Sequence, residues 1–146
     1  MGGDRRAGLV VELAWAILDT FTKMKEATDR VTAGAGQSTP RFSVLREIAV
    51  KGPMSVADIA RARRAARQGV QRLARELVAD GLIEVVPNPR HRRSPHFKLT
   101  ATGNRVITAL LAEQDATARR VAPKLQAQQV RNAISVLRRF GELIDP

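Results

Sequence analysis

The sequence of 146 residues contains no cysteine and no tyrosine, and its aromatic residues are four phenylalanines and one tryptophan. The absence of cysteine excludes disulfides, thiolate chemistry and zinc sites built on cysteine. It also agrees with the cytoplasmic location that we expect. Proteins that bind RNA or single strands usually stack bases on aromatic side chains, so the shortage of aromatics disfavours both classes. Among nucleic acids, duplex DNA is therefore the better-suited partner.

Signals for an enzyme, a metal site or a membrane anchor are also missing from the sequence. There is no nucleophile motif, no glycine-rich phosphate loop and no pair of acids at metal-binding spacing. The two histidines, His91 and His96, stand five residues apart without a cysteine partner, which makes a poor metal site. No apolar stretch approaches the length of a membrane span. We therefore expect a protein that is not an enzyme and that has no cofactor, metal or membrane partner.

Positive charge is what the sequence has in excess, and it is concentrated in one segment. The chain carries 25 Lys and Arg against 14 Asp and Glu, for a net charge of +11. Residues 61–98 hold ten of these basic residues and three acids, and so contribute +7. Cations concentrated on neighbouring elements are typical of a surface that faces one polyanion.

Apolar residues at helical spacing predict long helices at both ends of the chain. From Leu9 to Thr28 they recur every three or four residues, which predicts one helix over about residues 5–33. A helix of this length often packs against a second copy of itself, the alternative being an ordinary core helix. A fifth helix, capped by Thr100 or Thr102, and a last helix after Pro123 close the chain. The apolar stripe of the last helix consists of Leu125, Val130, Ile134, Leu137 and Phe140.

Three shorter helices and a hairpin are predicted between these ends. Thr39 as N-cap, followed by Pro40, starts the second helix, and Gly52-Pro53 stops it. Ser55-Val-Ala-Asp58 is a capping box that opens the third. The fourth helix runs from about Ala66 to Asp80 and ends at Gly81; its inward residues are Val70, Leu73, Ala74, Leu77 and Val78. Residues 82–86 and 96–100 are the strands of a hairpin with a long polar tip.

This order of elements predicts a mainly α-helical fold with a small β-hairpin. Residues 39–100 form a winged helix-turn-helix. Long N-terminal and C-terminal dimerisation helices, in residues 1–36 and 101–146, flank it. We expect all of them to belong to a single domain, 1–146, because the chain is of a size that one core can serve.

Five short stretches in and next to the winged region form an ordered set. They are Met54-Ser-Val-Ala-Asp-Ile-Ala60, Val70-Gln-Arg-Leu73 with Leu77, Gly81-Leu-Ile83, Asn88-Pro-Arg-His-Arg-Arg93 and Leu99-Thr-Ala-Thr-Gly103. This set resembles the MarR family of bacterial transcription regulators, and the flanking long helices fit as well. The resemblance implies a homodimer with interlocked terminal helices and two winged modules on a pseudo-palindromic operator. In many members of that family a small, often phenolic, ligand releases the DNA.

The chain departs from the family pattern in the wing and in the turn before the fourth helix. Where the family wing has acids, this chain has Asn88 and His91, so we expect its wing arginines to keep more charge free for phosphate. Where the family turn has a glycine, a leucine and a polar N-cap, this chain has Arg64, Ala65 and Ala66. Loss of a capping side chain costs about 0.5–2 kcal/mol. A DNA phosphate could satisfy the free N–H groups on binding.

The fourth helix is the predicted recognition helix, whose N-terminal residues face base edges in the major groove. Arginine pairs with guanine and glutamine with adenine. We therefore assign Gln68, Gln71 and Arg72 to bases, and Arg67 and Arg75 to phosphates, with Arg64 at the start of the same surface. The alternative for each arginine is a solvated surface or an ion pair with Glu76 or Asp80.

The tip of the hairpin supplies a second set of DNA contacts, namely Arg90, His91, Arg92 and Arg93. These residues are predicted to reach the adjacent minor groove or its phosphates, with Arg92 the first candidate for insertion. Alternatives are that Arg93 pairs with an acid and holds the wing, or that the tip is a generic basic loop.

A small aromatic effector is a further expected partner. Trp15, with Phe42 and Leu45, is the candidate lining of its pocket; a place in the core or in a dimer interface is the alternative for Trp15.

The leading functional prediction is a homodimeric, sequence-specific DNA-binding transcription regulator that acts as a repressor. One alternative is an architectural protein that coats duplex DNA with little sequence preference, a role for which positive charge alone would be sufficient. Another is a protein-interaction dimer whose winged region binds no DNA.

Overall fold

A computed structural model describes residues 2–144, with side chains from residue 5 onward, and within them the chain forms six α-helices and one three-stranded sheet. In chain order the elements are α1 Gly2–Gly34, α2 Thr39–Lys51, β1 Met54–Ser55, α3 Val56–Ala62, α4 Arg67–Ala79, β2 Ile83–Val86, β3 His96–Leu99, α5 Ala101–Val121, a 3₁₀ turn at Ala122–Lys124 and α6 Ala127–Ile144. The predicted mainly α-helical winged fold is confirmed. Nowhere in the described part of the chain is a helix long and apolar enough to cross a membrane.

The described residues fall into two compact units, one that reaches to Leu110 and one that begins at Leu111. The boundary lies within α5. The first unit therefore contains the whole winged helix-turn-helix together with α1, and the second contains the rest of α5, the 3₁₀ turn and α6. The expectation that they make one domain stays a prediction.

The start of α2 differs from the prediction by one residue. Its N-cap is Ser38, whose extended backbone (φ −113°, ψ 156°) lets the hydroxyl accept the N–H of Arg41 at 3.5 Å. Thr39 already lies in the first turn, and its hydroxyl donates to the carboxylate of Asp29 near the end of α1. At the other end Gly52, with φ +81°, stops the helix as predicted.

The core of the first unit is built from α2, α3, α4, α5 and the sheet. Its fully buried side chains include Val44, Leu45, Ile59, Val70, Leu77, Ile83 and Ile107. The predicted inward face of α4 is confirmed at Val70, Ala74 and Leu77, while Leu73 is half-buried. At Val78 the prediction is wrong, because this side chain is 36% exposed. The buried row fixes the opposite side of α4 toward solvent.

The sheet has one more strand than the predicted hairpin. β1 pairs antiparallel with β3, which pairs antiparallel with β2, so the strand order is β1-β3-β2. Met54 and Val85 both lie opposite Phe97, which is buried. The pairing with β1 anchors the base of the wing to the start of α3.

The stretch Leu99-Thr-Ala-Thr-Gly103 joins the sheet to α5. The hydroxyl of Thr100 accepts the N–H of Gly103 at 3.0 Å and donates to the carbonyl of Gly81 at 2.6 Å. Thr100, rather than Thr102, is thus the cap of α5. A Cβ at Gly103 would lie 1.9 Å from the carbonyl oxygen of Leu82, so only glycine allows α5 to approach the loop after α4 this closely.

The second unit contains α6, which has no buried residue among those described. Pro123 lies in the 3₁₀ turn that separates α5 from α6, as predicted. Leu125 precedes α6 instead of starting its apolar stripe. Exposed apolar side chains on α6 include Val130, Ile134, Leu137, Leu143 and Ile144.

Candidate nucleic-acid interface

The solvent side of α4 carries the residues that the sequence assigned to DNA. Arg67, Gln68, Arg72 and Arg75 are exposed, and Gln71 is half-buried. They are held there because Val70, Ala74 and Leu77, on the opposite side, are fixed in the core. The structure therefore brings all five side chains to the accessible surface of one helix.

The turn before α4 has an unusual residue at its tightest point. The N–H of Ala65 donates to the carbonyl of Ala60 and the N–H of Arg64 to that of Arg61, which is the Schellman arrangement at a helix end. Arg64 has φ +48°, in the left-handed region that favours glycine. An arginine in the left-handed region stores backbone strain, here just before α4.

α4 begins without a side-chain cap, as the sequence predicted. Its N-cap residue is Ala66, with φ −64° and ψ 130°, and it makes no side-chain hydrogen bond to the first turn. The first N–H groups of a helix have no partner within the helix. They carry the positive end of the helix dipole, so this end of α4 suits an anion such as a DNA phosphate.

α3, by contrast, begins with the predicted capping box. The hydroxyl of Ser55 accepts the N–H of Asp58 at 3.2 Å and donates to its carboxylate at 2.6 Å. The hydrogen bond from Ser55, followed by that from Arg61, lowers the pKa of Asp58 below its usual value. Asp58 stays ionised and is explained as a structural residue.

Glu76 in the second half of α4 and Asp80 at its C-cap both pair with a residue that sequence reasoning missed. Arg41 of α2, whose side chain is only 15% exposed, pairs with Asp80 and lies 3.7 Å from Glu76. Its Nε donates to Gln37 at 2.9 Å. No local signal marks this contact, because 39 residues separate Arg41 from Asp80.

The arrangement limits the alternative in which the arginines of α4 pair with these acids. Arg72 approaches Glu76 at 4.0 Å and is otherwise open to solvent. Neither Arg67 nor Arg75 forms an ion pair with any described side chain. Their charge is therefore available to an external anion.

The wing is shaped by the side-chain amide of Asn88. The side chain of Asn88 is buried, donates to the carbonyl of Ser94 at 2.8 Å and accepts the N–H of Arg90 at 3.0 Å. Two backbone bonds, from His91 to Asn88 and from Ser94 to His91, complete the turn. These bonds fix the tip without using any charge.

The predicted wing residues are all exposed at this tip. Arg90, His91, Arg92 and Arg93 lie on the surface. Within residues 5–144 none of the three arginines forms an ion pair, so the alternative in which Arg93 holds the wing by pairing with an acid is not observed. His91 and His96 line an open groove of about 460 Å³ beside Asp58.

The residues assigned to an effector pocket have different environments. Phe42 and Leu45 belong to the core, whereas Trp15 on α1 is 68% exposed. A pocket that joins the three stays a prediction.

Comparison with known proteins identifies the family. The family sequence model described as the MarR family matches residues 36–94, which span the recognition helix and most of the wing. An uncharacterized protein of Mycobacterium tuberculosis is 31% identical over 132 residues, covering 88% of this chain and 92% of that protein. The chain belongs to the MarR family. The transcriptional activatory protein BadR of Rhodopseudomonas palustris is 28% identical over 110 residues, covering 73% of this chain and 63% of that protein.

Solved structures of MarR family proteins share the fold. One described as a MarR family transcription regulator superposes with a TM-score of 0.86 at 21% identity, covering 99% of this chain and 98% of that one. Staphylococcus aureus MarR in complex with salicylate and kanamycin gives 0.84 at 17% identity, with 93% and 92% covered. A mutant Escherichia coli MarR complexed with operator DNA gives 0.72 at 19% identity, with 94% and 96% covered.

Membership of the MarR family agrees with two predictions made from the sequence. The chain has the winged helix of a DNA-binding transcription regulator. The relatives whose descriptions give a role are transcription regulators and not enzymes, in agreement with the absence of enzyme motifs.

Proposed function

We propose that this MarR family chain is a homodimeric repressor that binds a pseudo-palindromic operator in duplex DNA and is released by a small aromatic ligand. The observation that carries the proposal is the shared exposure of the recognition-helix residues and the wing arginines in one unit. Arg67, Arg75 and the three wing arginines form no ion pair with a described side chain, and Arg72 only approaches Glu76 at 4.0 Å. A helix in the major groove and a wing beside it can contact the same duplex.

The recognition helix and the wing have different parts in this proposal. Arg72, Gln68 and Gln71 read base edges, which gives sequence preference. The wing arginines Arg90, Arg92 and Arg93, like Arg67 and Arg75 on α4, meet phosphates or the minor groove and add affinity that depends on salt. Arg64 lies just before the recognition helix, and His91 lies between Arg90 and Arg92 in the wing.

The experiment compares Arg72→Ala with Arg92→Ala on two DNAs, an operator selected from a random duplex library and a random duplex of equal length. Arg72→Ala is expected to weaken operator binding by about 1–3 kcal/mol more than random binding. Arg92→Ala is expected to weaken both alike and to reduce the salt slope by about 0.9 for each lost phosphate contact. Equal losses on both DNAs for Arg72→Ala would remove the assignment of Arg72 to a base. An unmodified chain that does not keep the operator against excess random duplex at physiological salt would favour an architectural protein.

The homodimer is supported by the apolar surface that the terminal helices leave exposed. On α1 this surface includes Leu9, Val10, Val11, Trp15, Leu18, Phe21 and Met24, and α6 adds its own exposed apolar residues. Large exposed apolar patches on a soluble chain usually mark an interaction site. Covering these helices with a second copy would remove that surface from water and place two recognition helices on one duplex.

The dimer is tested by sedimentation of Leu137→Asp on α6 beside the matched variant Val50→Asp. Both replace an exposed apolar side chain, but Val50 lies at the end of α2, outside the terminal helices. Leu137→Asp is expected to shift the chain toward monomer and to weaken operator binding, whereas Val50→Asp leaves both unchanged. Dissociation by both variants, or by neither, would contradict the proposed interface.

Release by a ligand is tested through the only tryptophan. Trp15 gives a single fluorescence signal, and salicylate is the probe because it is the aromatic ligand bound to the S. aureus relative. We expect salicylate to change the Trp15 emission and to lower operator affinity over the same concentration range. A change in emission without loss of affinity would contradict release.

A further inference from the structure

Three charged side chains follow one another at four-residue spacing along α4 and its C-cap. Arg72, Glu76 and Asp80 are separated by about one helical turn each, so they lie along one side of the helix. Arg72 is at the N-terminal end of this row and is 75% exposed, while the two acids are 42% and 55% exposed. The row alone has a net charge of −1.

Arg41 compensates the two acids from a different helix. One guanidinium nitrogen contacts Asp80, another lies 3.7 Å from Glu76, and Nε donates to Gln37. A guanidinium is planar and presents its donors in a fixed fork, so this side chain can serve both carboxylates at once. Because the Arg41 side chain is held by Asp80, Glu76 and Gln37, its conformation is already restricted before any DNA binds.

Glu76 therefore stands between two arginines. Its Oε2 lies 3.7 Å from Arg41 and its Oε1 lies 4.0 Å from Arg72. The more the carboxylate is compensated by Arg41, the less it attracts Arg72. Any attraction of Arg72 to Glu76 has to be given up when Arg72 turns to a base.

We propose that Arg41 is a positioning residue for sequence recognition, which frees Arg72 for DNA by holding Glu76. The inference rests on the proposed function, in which Arg72 reads a base. Removal of Arg41 leaves Arg72 as the nearest cation to Glu76, so the recognition arginine becomes engaged within its own helix. Sequence preference should fall more than general affinity for DNA.

The test measures the ratio of operator to random-duplex affinity for the full chain and four variants at fixed salt. Arg41→Met is expected to lower this ratio about two-fold per half-site, or about four-fold for a dimer on two half-sites, as for an exposed ion pair formed four residues apart. Glu76→Gln alone should change it less. The double variant Arg41→Met with Glu76→Gln should restore the ratio.

The matched control combines Arg41→Met with Asp80→Asn. Asp80 contacts Arg41 more closely than Glu76 does, but it lies eight residues from Arg72. If Arg41 only docked α2 on α4, neutralising Asp80 would restore binding at least as well as neutralising Glu76. Rescue by Asp80→Asn, or no rescue by Glu76→Gln, would overturn the inference.

Two further outcomes are decisive. If the unmodified chain prefers no duplex sequence, the proposed function fails and this inference falls with it. If the unmodified chain is selective and Arg41→Met keeps the ratio, only this inference is overturned. If Arg41→Met does not fold, Arg41→Lys runs the same comparison, because lysine keeps the charge but lacks the fork that spans two carboxylates.

Discussion

Adding the missing cap to α4 should stabilise the protein by about 1 kcal/mol, within the range of about 0.5–2 kcal/mol known for capping side chains. The perturbation is Ala66→Ser. The backbone of Ala66 (φ −64°, ψ 130°) is in the same extended region as that of Ser55 (φ −78°, ψ 161°), whose hydroxyl caps α3. Ala66 is exposed, so a hydroxyl meets no steric barrier.

Urea unfolding followed by circular dichroism measures this gain. We expect a higher midpoint with an unchanged slope, and a melting temperature higher by about 2–4 °C for a chain of this size. The change alters no buried surface, so a change in slope would point to a different cause. An unchanged or lower midpoint would refute the argument that the first turn of α4 lacks only a hydrogen-bond acceptor.

The same position separates capping from DNA binding. Ala66→Asp supplies an equivalent acceptor and a negative charge that the helix dipole favours, so its stability should at least match that of Ala66→Ser. A carboxylate would, however, repel a phosphate from this end of α4. Weaker DNA binding by Ala66→Asp than by Ala66→Ser is the expected result, and equal binding by the two variants would show that no phosphate lies there.

Three further predictions concern stability and are measured by the same unfolding assay. Arg64→Gly should be about 0.5–1 kcal/mol more stable than Arg64→Ala, because the positive φ strains alanine more than the flexibility of glycine costs. In the exposed middle of α5, Ala109→Gly should instead lower the free energy of unfolding by about 1 kcal/mol. If glycine were less stable than alanine at both positions, the strain at Arg64 would be contradicted. Gly103→Ala should lower the free energy of unfolding by about 3 kcal/mol or more, because its Cβ meets the backbone of Leu82. Gly69→Ala, with open space around it, should raise the free energy of unfolding by about 0.5–1 kcal/mol. Similar effects of the two variants would remove the steric explanation. Asp58→Asn should be less stable than the unmodified chain at pH 7, because the pKa of Asp58 is lowered in the folded protein. The stability that this provides is complete above the unfolded-state pKa of about 3.9 and is lost as the pH falls through the folded-state pKa. The difference should therefore shrink below about pH 4, and a difference independent of pH would contradict the assigned hydrogen bonds.

Features that depend on neighbouring residues were predicted well from the sequence. The capping box at Ser55 and Asp58, the end of α4 at Gly81 and the inward position of Val70 and Leu77 follow from spacing along one helix. The absence of a side-chain cap at the start of α4 was also predicted, because that prediction needs only the identity of residue Ala66.

Features that depend on distant partners were missed or misplaced. Ser38 and Thr39 are both good N-caps, and the choice between them follows the contact of Thr39 with Asp29 on another helix. β1 has two residues and so gives no alternation, while its partner β3 lies about 40 residues further on. Arg41 gives no local sign that it pairs with Asp80.

The candidate DNA surface was therefore predictable as a set of residues but not as an electrostatic arrangement. Helical periodicity alone places Arg72 and Arg75 on the solvent side of α4. Which acids remain free to attract them depends on Arg41, and that depends on how α2 packs against α4.

The wing built on Asn88 has a consequence for how its DNA binding responds to the medium. A loop held by an ion pair loosens as ionic strength rises or as its acid is protonated, so its shape and its charge change together. The amide of Asn88 does not titrate, and its hydrogen bonds to Ser94 and Arg90 involve no net charge that salt could screen. Salt titrations of DNA binding should therefore count the counterions displaced by Arg90, Arg92 and Arg93, with no contribution from folding or melting of the loop itself.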